Sequence, residues 1–360
     1  MNTSIVSNNC LVGSRIINRS SPVYFIADVG ANHDGSLERA LELIQLAKAA
    51  GVDAVKFQHF SASTIVSKDG FDQLPRMSHQ SKWKKTVFDV YRGASIDLGW
   101  TELLSQKCDE VGIDFFTSPY SPDLVEHIEP YVTTHKIGSG EITWLEQLKS
   151  IAQRGKTVIL ACGAANEGEV DIAVNEILRI NPNLILLQCN TNYTGQETNF
   201  DFVNLRVLER FSEKYPGLLL GLSDHTPGDV TTLGAVALGA KVIEKHFTDD
   251  KSREGPDHGF AMDYREWKIM IKRTRLLERA LGDGIKRIEP NEEETVIVQR
   301  WSLTSTADLA AGTIVEKDHI YPVRPCLPDG IPADKIHDYV GKTLKVSVSK
   351  GTHFKHEMFS

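Results

Sequence analysis

Residues 218–226 read Leu-Leu-Leu-Gly-Leu-Ser-Asp-His-Thr, and residues 241–248 read Lys-Val-Ile-Glu-Lys-His-Phe-Thr. Each is a short apolar run that closes on a histidine, His225 in the first and His246 in the second. One helix-length segment, residues 228–239, joins them. A strand–helix–strand crossover of this kind lays two parallel strands side by side with their carboxyl ends at one edge. Both imidazoles then face one cleft. That arrangement offers two neutral nitrogen ligands to a divalent metal and leaves the other coordination positions open. It also suits two core histidines, each bonded to backbone.

The rhythm repeats outward from this pair. Apolar runs occupy residues 23–28, 54–58, 114–118, 135–137, 157–161, 184–189, 218–222 and 241–244, eight in all. They are near-continuous in Val, Ile, Leu and Phe, as parallel strands buried on both faces must be. Amphipathic segments follow most of them. Ser36 caps one, apolar residues recur at Leu37, Leu41, Ile44, Leu46 and Ala47, and Gly51 stops it. Segments 144–154, 167–180 and 264–281 behave alike. Eight strand–helix units in about 260 residues predict a closed (β/α)8 TIM barrel, with an open doubly wound sheet as the alternative.

One connection is long. Residues 61–95 hold Trp83, Tyr91 and the basic cluster Lys82, Lys84 and Lys85. A loop of that length in a compact domain reads as a lid or binding loop, or else as a solvated surface excursion. After Gly284 the pattern changes: residues 286–296 read as a linker, and 297–360 as a small all-β domain. The division expected is therefore a leader over 1–22, a barrel over 23–285, the linker, and the small domain.

The chain has 360 residues, 41% of them hydrophobic and 24% charged, with a net charge of −8. That balance disfavours nucleic acid and anionic membranes as partners. No apolar run reaches the ~20 residues of a membrane-spanning helix. The first residues lack a signal peptide's apolar core. Cys10, Cys108, Cys162, Cys189 and Cys326 show no paired spacing, which suits reduced thiols in the cytoplasm.

A barrel builds its active site at the carboxyl ends of its strands. Here those ends carry Asp28, Lys56 with Gln58, Ser118, Lys136 with Ser139 and Glu141, Gln188 through Tyr193, Ser223 with His225, and Glu244 with His246; Asp257 follows in the last loop. Seven of the eight strands converge on polar or ionisable groups. Lys56 and Lys136 are cations inside apolar strands, so each is paired, deprotonated or facing an anion. With Ser118, Ser139 and Ser223 they could wrap a phosphate or carboxylate, beside a metal that polarises a carbonyl.

The segments Phe25-Ile-Ala-Asp-Val-Gly-Ala-Asn-His-Asp-Gly-Ser36, Ala54-Val-Lys-Phe-Gln58, Lys136-Ile-Gly-Ser-Gly-Glu141, Gly221-Leu-Ser-Asp-His-Thr226, Glu244-Lys-His-Phe-Thr248 and Gly255-Pro-Asp257 resemble, in order, those of the sialic acid synthase family. The C-terminal segment, with Val323-Arg324-Pro325, resembles that family's antifreeze-like SAF domain, a β-clip-like fold. The resemblance implies condensation of phosphoenolpyruvate with an N-acyl mannosamine-type or 2,4-diacetamido-6-deoxy sugar, giving a nonulosonic acid and phosphate. It implies phosphoenolpyruvate among Lys56, Ser118, Lys136, Ser139 and Ser223, and Mn²⁺ or Mg²⁺ on His225 and His246. Glu244 would place phosphoenolpyruvate or the attacking water. Asp28, Gln58, Tyr193 and Asp257 would hold the sugar, and Arg324 from a neighbouring subunit its acyl group, in a domain-swapped homodimer.

Four positions depart from the family pattern. Asp28 stands where Glu is usual, and Ala161-Cys162-Gly163 where Ser-Thr-Gly is usual. Tyr193-Thr-Gly replaces Tyr-Pro, and Cys326-Leu-Pro-Asp-Gly330 replaces a Gly-rich turn. A metal-dependent barrel aldolase or isomerase, and a non-catalytic binding protein, are the competing readings.

Overall fold

The computed structural model describes residues 6–75, 80 and 83–360. It divides into two units, Met1–Gly282 and Asp283–Ser360. The first begins with a hairpin, β1 (Cys10–Val12) and β2 (Arg15–Ile17). Eight parallel strands follow: β3 (Tyr24–Asp28), β4 (Ala54–His59), β5 (Asp114–Pro119), β6 (Thr134–Ile137), β7 (Thr157–Ala161), β8 (Leu184–Cys189), β9 (Leu219–Asp224) and β10 (Val242–His246). They form one sheet in the order β5-β4-β3-β10-β9-β8-β7-β6, and β5 packs against β6 across the remaining seam. All eight strands read from the sequence are present, and the sheet is a (β/α)8 barrel.

Two apolar layers follow from the alternation of side chains along each strand. Outward residues such as Phe25, Phe57, Val158, Leu186 and Ile243 pack under the helices. Inward residues, among them Ile26, Phe116, Ile159, Ile185 and Val242, fill the barrel's foot. The helix Leu37–Ala50 starts and ends as its sequence dictates: Ser36 accepts from the Arg39 N–H, and Gly51 takes the left-handed conformation at φ 92°.

The segment expected as a leader belongs to the barrel. Cys10, Val12 and Ile17 point into the inner layer with Tyr24 and Ile26 and seal the foot. The Gly13 N–H donates to Thr134 Oγ1 at 3.1 Å, and the Thr133 hydroxyl donates to the Gly13 carbonyl at 3.0 Å. Two three-residue strands with one exposed face carry too little pattern to be read as strands. The long connection after β4 is also more ordered than a loop: it holds short helices at Ala62–Ile65, Lys68–Asp72 and Val87–Ala94 before the barrel helix Trp100–Val111. Lys82 lies outside the described residues.

The second unit has its own core, including Leu303, Val315, Ile320, Ile331, Leu344, Phe354 and Phe359. Its paired strands are β11 (Ser302–Ser305) and β12 (Ile320–Val323), antiparallel, with further single bridges such as Leu309–Val348 and Ile314–Thr343. The stretch expected as a linker runs into a short helix, Glu293–Gln299.

Sealing the foot with apolar side chains makes a test. Val12→Asp puts an unpaired carboxylate among Tyr24, Ile26 and Val242, and is expected to cost at least ~3 kcal/mol of unfolding free energy in urea titrations. An unchanged midpoint would show that the hairpin does not close the barrel.

Candidate active site

Strand register decides which polar groups meet. Asp28 on β3 lies opposite Lys56 on β4 and opposite His246 on β10. Ser223 on β9 lies opposite Glu244, and Gln58 on β4 opposite Ser118 on β5. All of these point inward above the apolar foot. They line a cavity of about 320 Å³, together with Lys136, Ser139, Tyr193, His225 and Asp257. That size lies within the range of small-molecule sites. Gln188, also offered by the sequence, does not line it, its amide donating to the Val203 carbonyl at 3.0 Å; Arg324 lies in the second unit, its guanidinium 5.2 Å from the centre of the Trp301 ring.

One side of the cavity is a set of buried cations and hydroxyls. Lys56 Nζ donates to Asp28 Oδ2 at 2.7 Å, and the Gln58 amide donates to the same oxygen at 3.1 Å. Burial pushes the Asp28 carboxyl up, but Lys56, His246 and the Gln58 amide together outweigh it and the net shift is downward; Asp28 and Glu244 hold the Lys56 ammonium above its ordinary value against burial. Both therefore stay charged. Lys136 Nζ donates to the Ile137 carbonyl at 2.8 Å and keeps only a loose contact with Glu244, 3.6 Å away. Ser223 donates to Glu244 Oε1 at 3.3 Å. Ser118 Oγ and Glu244 Oε2 are fully buried without a hydrogen-bond partner. Both residues line the cavity, where their open oxygens are available to water or a bound molecule. The Gly163 N–H and Ser139 Oγ bond to each other at 2.9 Å. In the departure at 161–162, Ala161 faces the cavity, while Cys162 points away, its thiol 3.2 Å from the Leu187 carbonyl.

The histidines stand on the other side, ring centres 5.5 Å apart, with Tyr193 4.6 Å from His225 and Phe260 4.8 Å from His246. His225 Nδ1 donates to the Asn190 carbonyl at 2.9 Å, which aims its Nε2 lone pair into the cavity. Burial works against charge on His225, but the Cys189 thiol beside it and the Asn190 carbonyl raise its pKa overall. Burial lowers the pKa of His246; its Nδ1 has no hydrogen-bond partner among the described residues and lies 3.8 Å from Asp257 Oδ2, while its Nε2 lies 3.5 Å from Asp28 Oδ2. Two adjacent imidazoles lining one cavity, with carboxylates of Asp28 and Asp257 beside them, suit a divalent ion. Among the described residues no group of three or more His, Cys, Asp or Glu is disposed to hold one. Such an ion would take its other ligands from water and substrate, as Mg²⁺ does.

The loops above β3 and β10 are latched together, which places Asp257. Asp34, at φ 52°, accepts from Arg253 Nε at 3.0 Å and pairs with Arg39 Nε at 3.0 Å and His258 Nε2 at 2.9 Å. His258 Nδ1 bonds to Thr248 at 2.7 Å. Asp257 then accepts from the Ala31 N–H at 2.9 Å. Gly30, at φ 54°, lies beneath: a Cβ there would sit 2.5 Å from Asp257 Oδ2 and 3.1 Å from His246. Tyr91 and Trp83, named on the long connection from the sequence, line the same cavity; sequence reasoning missed the latch and the apolar residues Phe60, Ile65, Val90 and Ala94 beside them. The spacing of Val87, Val90, Tyr91 and Ala94, one face of a helix, was the available signal.

A parallel barrel whose strand ends gather buried lysines, carboxylates and histidines in one cavity has the layout of a barrel enzyme. Comparison with known proteins agrees. The NeuB family model matches residues 43–286, and the SAF domain model matches residues 300–360. The chain is 35% identical to N,N'-diacetyllegionaminic acid synthase of Campylobacter jejuni, covering 88% of this chain and 94% of that protein. It is 33% identical to N,N'-diacetyllegionaminic acid synthase of Legionella pneumophila, over 96% of this chain and 97% of that one. The crystal structure of N-acetylneuraminic acid synthetase from Leptospira borgpetersenii superposes with a TM-score of 0.70 at 28% identity, covering 81% of this chain and 96% of that one. The chain belongs to the NeuB family, whose relatives are sialic-acid-type synthases, and it is an enzyme of that synthase class.

The latch gives a pH test. Burial pushes the Asp249 carboxyl up, but its two bonds to Arg39 outweigh that and hold it at about 2, below the usual 3.8. A carboxyl depressed in the folded state stabilises above its unfolded pKa and loses that contribution as pH falls through the folded one. Asp249→Asn is expected to flatten the fall in melting temperature between pH 4 and pH 2. Parallel acid limbs for the two proteins would rule this pairing out as a source of stability.

Proposed function

We propose that this enzyme condenses phosphoenolpyruvate with an open-chain N-acyl amino sugar of the mannosamine type, releasing phosphate and forming a nonulosonic acid. One observation carries the reading: a cation-and-hydroxyl pocket with unsatisfied Ser118 and Glu244 oxygens shares a single cavity with two open imidazoles. The pocket matches a phosphorylated carboxylate, and the imidazoles a carbonyl to be activated.

The reaction joins the methylene carbon of phosphoenolpyruvate to the aldehyde carbon of the sugar. Water adds at C2, and the C2–O bond breaks to release phosphate. Lys56 and Lys136 supply fixed positive charge where the phosphate and carboxylate sit, in a site with little water to screen it. Ser118, Ser139 and Ser223 donate to the anion's oxygens. Asp28, already tied to Lys56, keeps that ammonium charged and aimed. Glu244, with one oxygen bonded by Ser223 and the other unpaired, is positioned to orient the attacking water. Asp257, Gln58 and Tyr193 hold the sugar's hydroxyls. His225 and His246 would hold a Mn²⁺ or Mg²⁺ ion, which when bound supplies Lewis acidity to the aldehyde oxygen. Arg324 is assigned to the sugar's acyl group in the site of a neighbouring copy, which makes the active form a homodimer, and the setting is cytoplasmic.

Phosphate release from phosphoenolpyruvate, dependent on an N-acyl hexosamine and on added Mn²⁺, is the direct test. Its absence with every N-acyl hexosamine tried would refute the reading. His246→Ala should lose calorimetric Mn²⁺ binding without substrate present, together with at least ~100-fold in kcat; retained binding would remove His246 from the ligand set. Lys136→Met should lower kcat/KM for phosphoenolpyruvate by ~100-fold or more and leave Mn²⁺ binding intact. If sites are shared between copies, mixing inactive Arg324→Ala and His246→Ala proteins and allowing subunit exchange should restore activity. No restoration after proven exchange would place Arg324 outside the neighbour's site.

A further inference from the structure

We propose that Phe260 is a positioning residue for His246: its ring sets the tilt of an imidazole that no hydrogen bond orients. The inference rests on the reading above, in which His225 and His246 hold the ion. A histidine that ligates a metal through one nitrogen is ordinarily steered by a hydrogen bond at the other. His225 follows that rule, with Nδ1 bonded to the Asn190 carbonyl at 2.9 Å. His246 departs from it. Its Nδ1 is buried with no hydrogen-bond partner among the described residues, and Asp257 Oδ2, 3.8 Å away, is already engaged by the Ala31 N–H. Asp28, 3.5 Å from Nε2, is tied to Lys56 and Gln58. The β10 ladder fixes the backbone of His246, and the Trp267 indole N–H donates to its carbonyl at 3.3 Å. Neither limits rotation of the ring about its side-chain bonds.

Packing does. The Phe260 ring stands edge-on to the imidazole, centres 4.8 Å apart and planes at 69°. His225 and Tyr193 lie farther from it, at 5.5 and 6.4 Å. Phe260 also reaches Tyr193 at 5.4 Å and His225 at 6.0 Å, so the four rings form one cluster. Phe260 is itself held. It is buried, and the chain is pinned on both sides of it. Two residues on, the Met262 N–H donates to the His246 carbonyl at 2.9 Å. Two residues before, His258 is bonded to Thr248 at 2.7 Å and to Asp34 at 2.9 Å. Gly195, at φ 63°, packs its backbone on the stem of Phe260, where a Cβ would lie 2.9 Å from Phe260 Cβ.

Phe260 therefore hangs from the same strand end that carries His246, and ring and imidazole are placed as one piece. The arrangement also suits the proposed chemistry. Steering His246 by a hydrogen bond would commit Asp257, which is assigned to the sugar. A ring does the steering and leaves that carboxylate uncommitted.

The test removes the ring and reads the ion with no substrate present. Phe260→Leu keeps an apolar side chain but no ring, and Phe260→Tyr keeps the ring. Calorimetric titration with Mn²⁺ is expected to show affinity at least ~10-fold weaker in Phe260→Leu and within about twofold of the unaltered protein in Phe260→Tyr. Pulsed electron paramagnetic resonance of the bound Mn²⁺ reads the imidazole nitrogens coordinated to it. Two are expected in the unaltered protein and in Phe260→Tyr, and one, from His225, in Phe260→Leu. Phe260→Met, an unbranched side chain that fills gaps without a ring, gives the same readout should the leucine variant not fold. Unchanged affinity without the ring, two coordinated imidazoles without the ring, or equal losses in the leucine and tyrosine variants would overturn the role of Phe260 while His225 and His246 stand as ligands. Mn²⁺ coupled to no imidazole in the unaltered protein would overturn the ligand assignment, and this inference with it.

Discussion

A lysine buried at the centre of a barrel must have an anion, and the layout of this site follows from how Lys56 gets one. Its ammonium is 2% exposed and meets Asp28 on the neighbouring strand at 2.7 Å. The pairing is a matter of register: Asp28 stands opposite Lys56 on one side and His246 on the other. A slip of one residue in either strand would turn the whole row outward. The row from Lys56 through Asp28 to His246 is therefore fixed by the same hydrogen-bond ladder that closes the barrel. Breaking one member of such a buried pair strands the other charge, at a cost of roughly 3–5 kcal/mol.

The same alternation separates functional charge from structural charge within single motifs. Glu244 and His246 face the cavity; Lys245 between them faces the helices and is bonded to Asp224 and the Thr226 carbonyl. Asp224 in turn lies between Ser223 and His225, and accepts from Thr226 and Thr231 as well. Behind the site, this second buried pair clamps β9 to β10. The two histidines are thus held at a fixed spacing from the outside while their lone pairs stay open on the inside.

The barrel was legible in the sequence because eight strands buried on both faces leave eight apolar runs, and the site because polar residues at the ends of such runs have one place to go. Other features were hidden for physical reasons. His59 also closes a strand, and sequence alone does not separate it from His246. In the structure Thr117 and Thr101 satisfy both of its ring nitrogens, at 2.6 and 2.8 Å, and burial pushes it down to about 3, so it is a neutral core group. The hairpin at the foot spends few residues, with Leu11 and Ile16 exposed beside buried Cys10, Val12 and Ile17, and gives no periodic signal. The apolar side of the cavity comes from Phe60 and two short helices, Ala62–Ile65 and Val87–Ala94, whose side chains converge only in three dimensions. Asp28 reads from sequence as a sugar ligand one methylene too short; in the structure it lines the cavity but is already engaged with Lys56 and Gln58.

The sealed foot has a kinetic side. With Cys10, Val12 and Ile17 packed across the bottom, the cavity is a cul-de-sac whose mouth lies among Trp83, Arg253 and Phe260. The groups proposed for the anion are the deeper ones: Lys56, Ser118 and Lys136 are at most 2% exposed, while Gln58, Tyr193 and Asp257 are only half-buried. Two reactants sharing one doorway queue in the order of their depth. Under the proposed chemistry the phosphorylated partner goes in first and the sugar stacks above it. Inorganic phosphate, formed at the closed end, waits for the new acid to clear the passage.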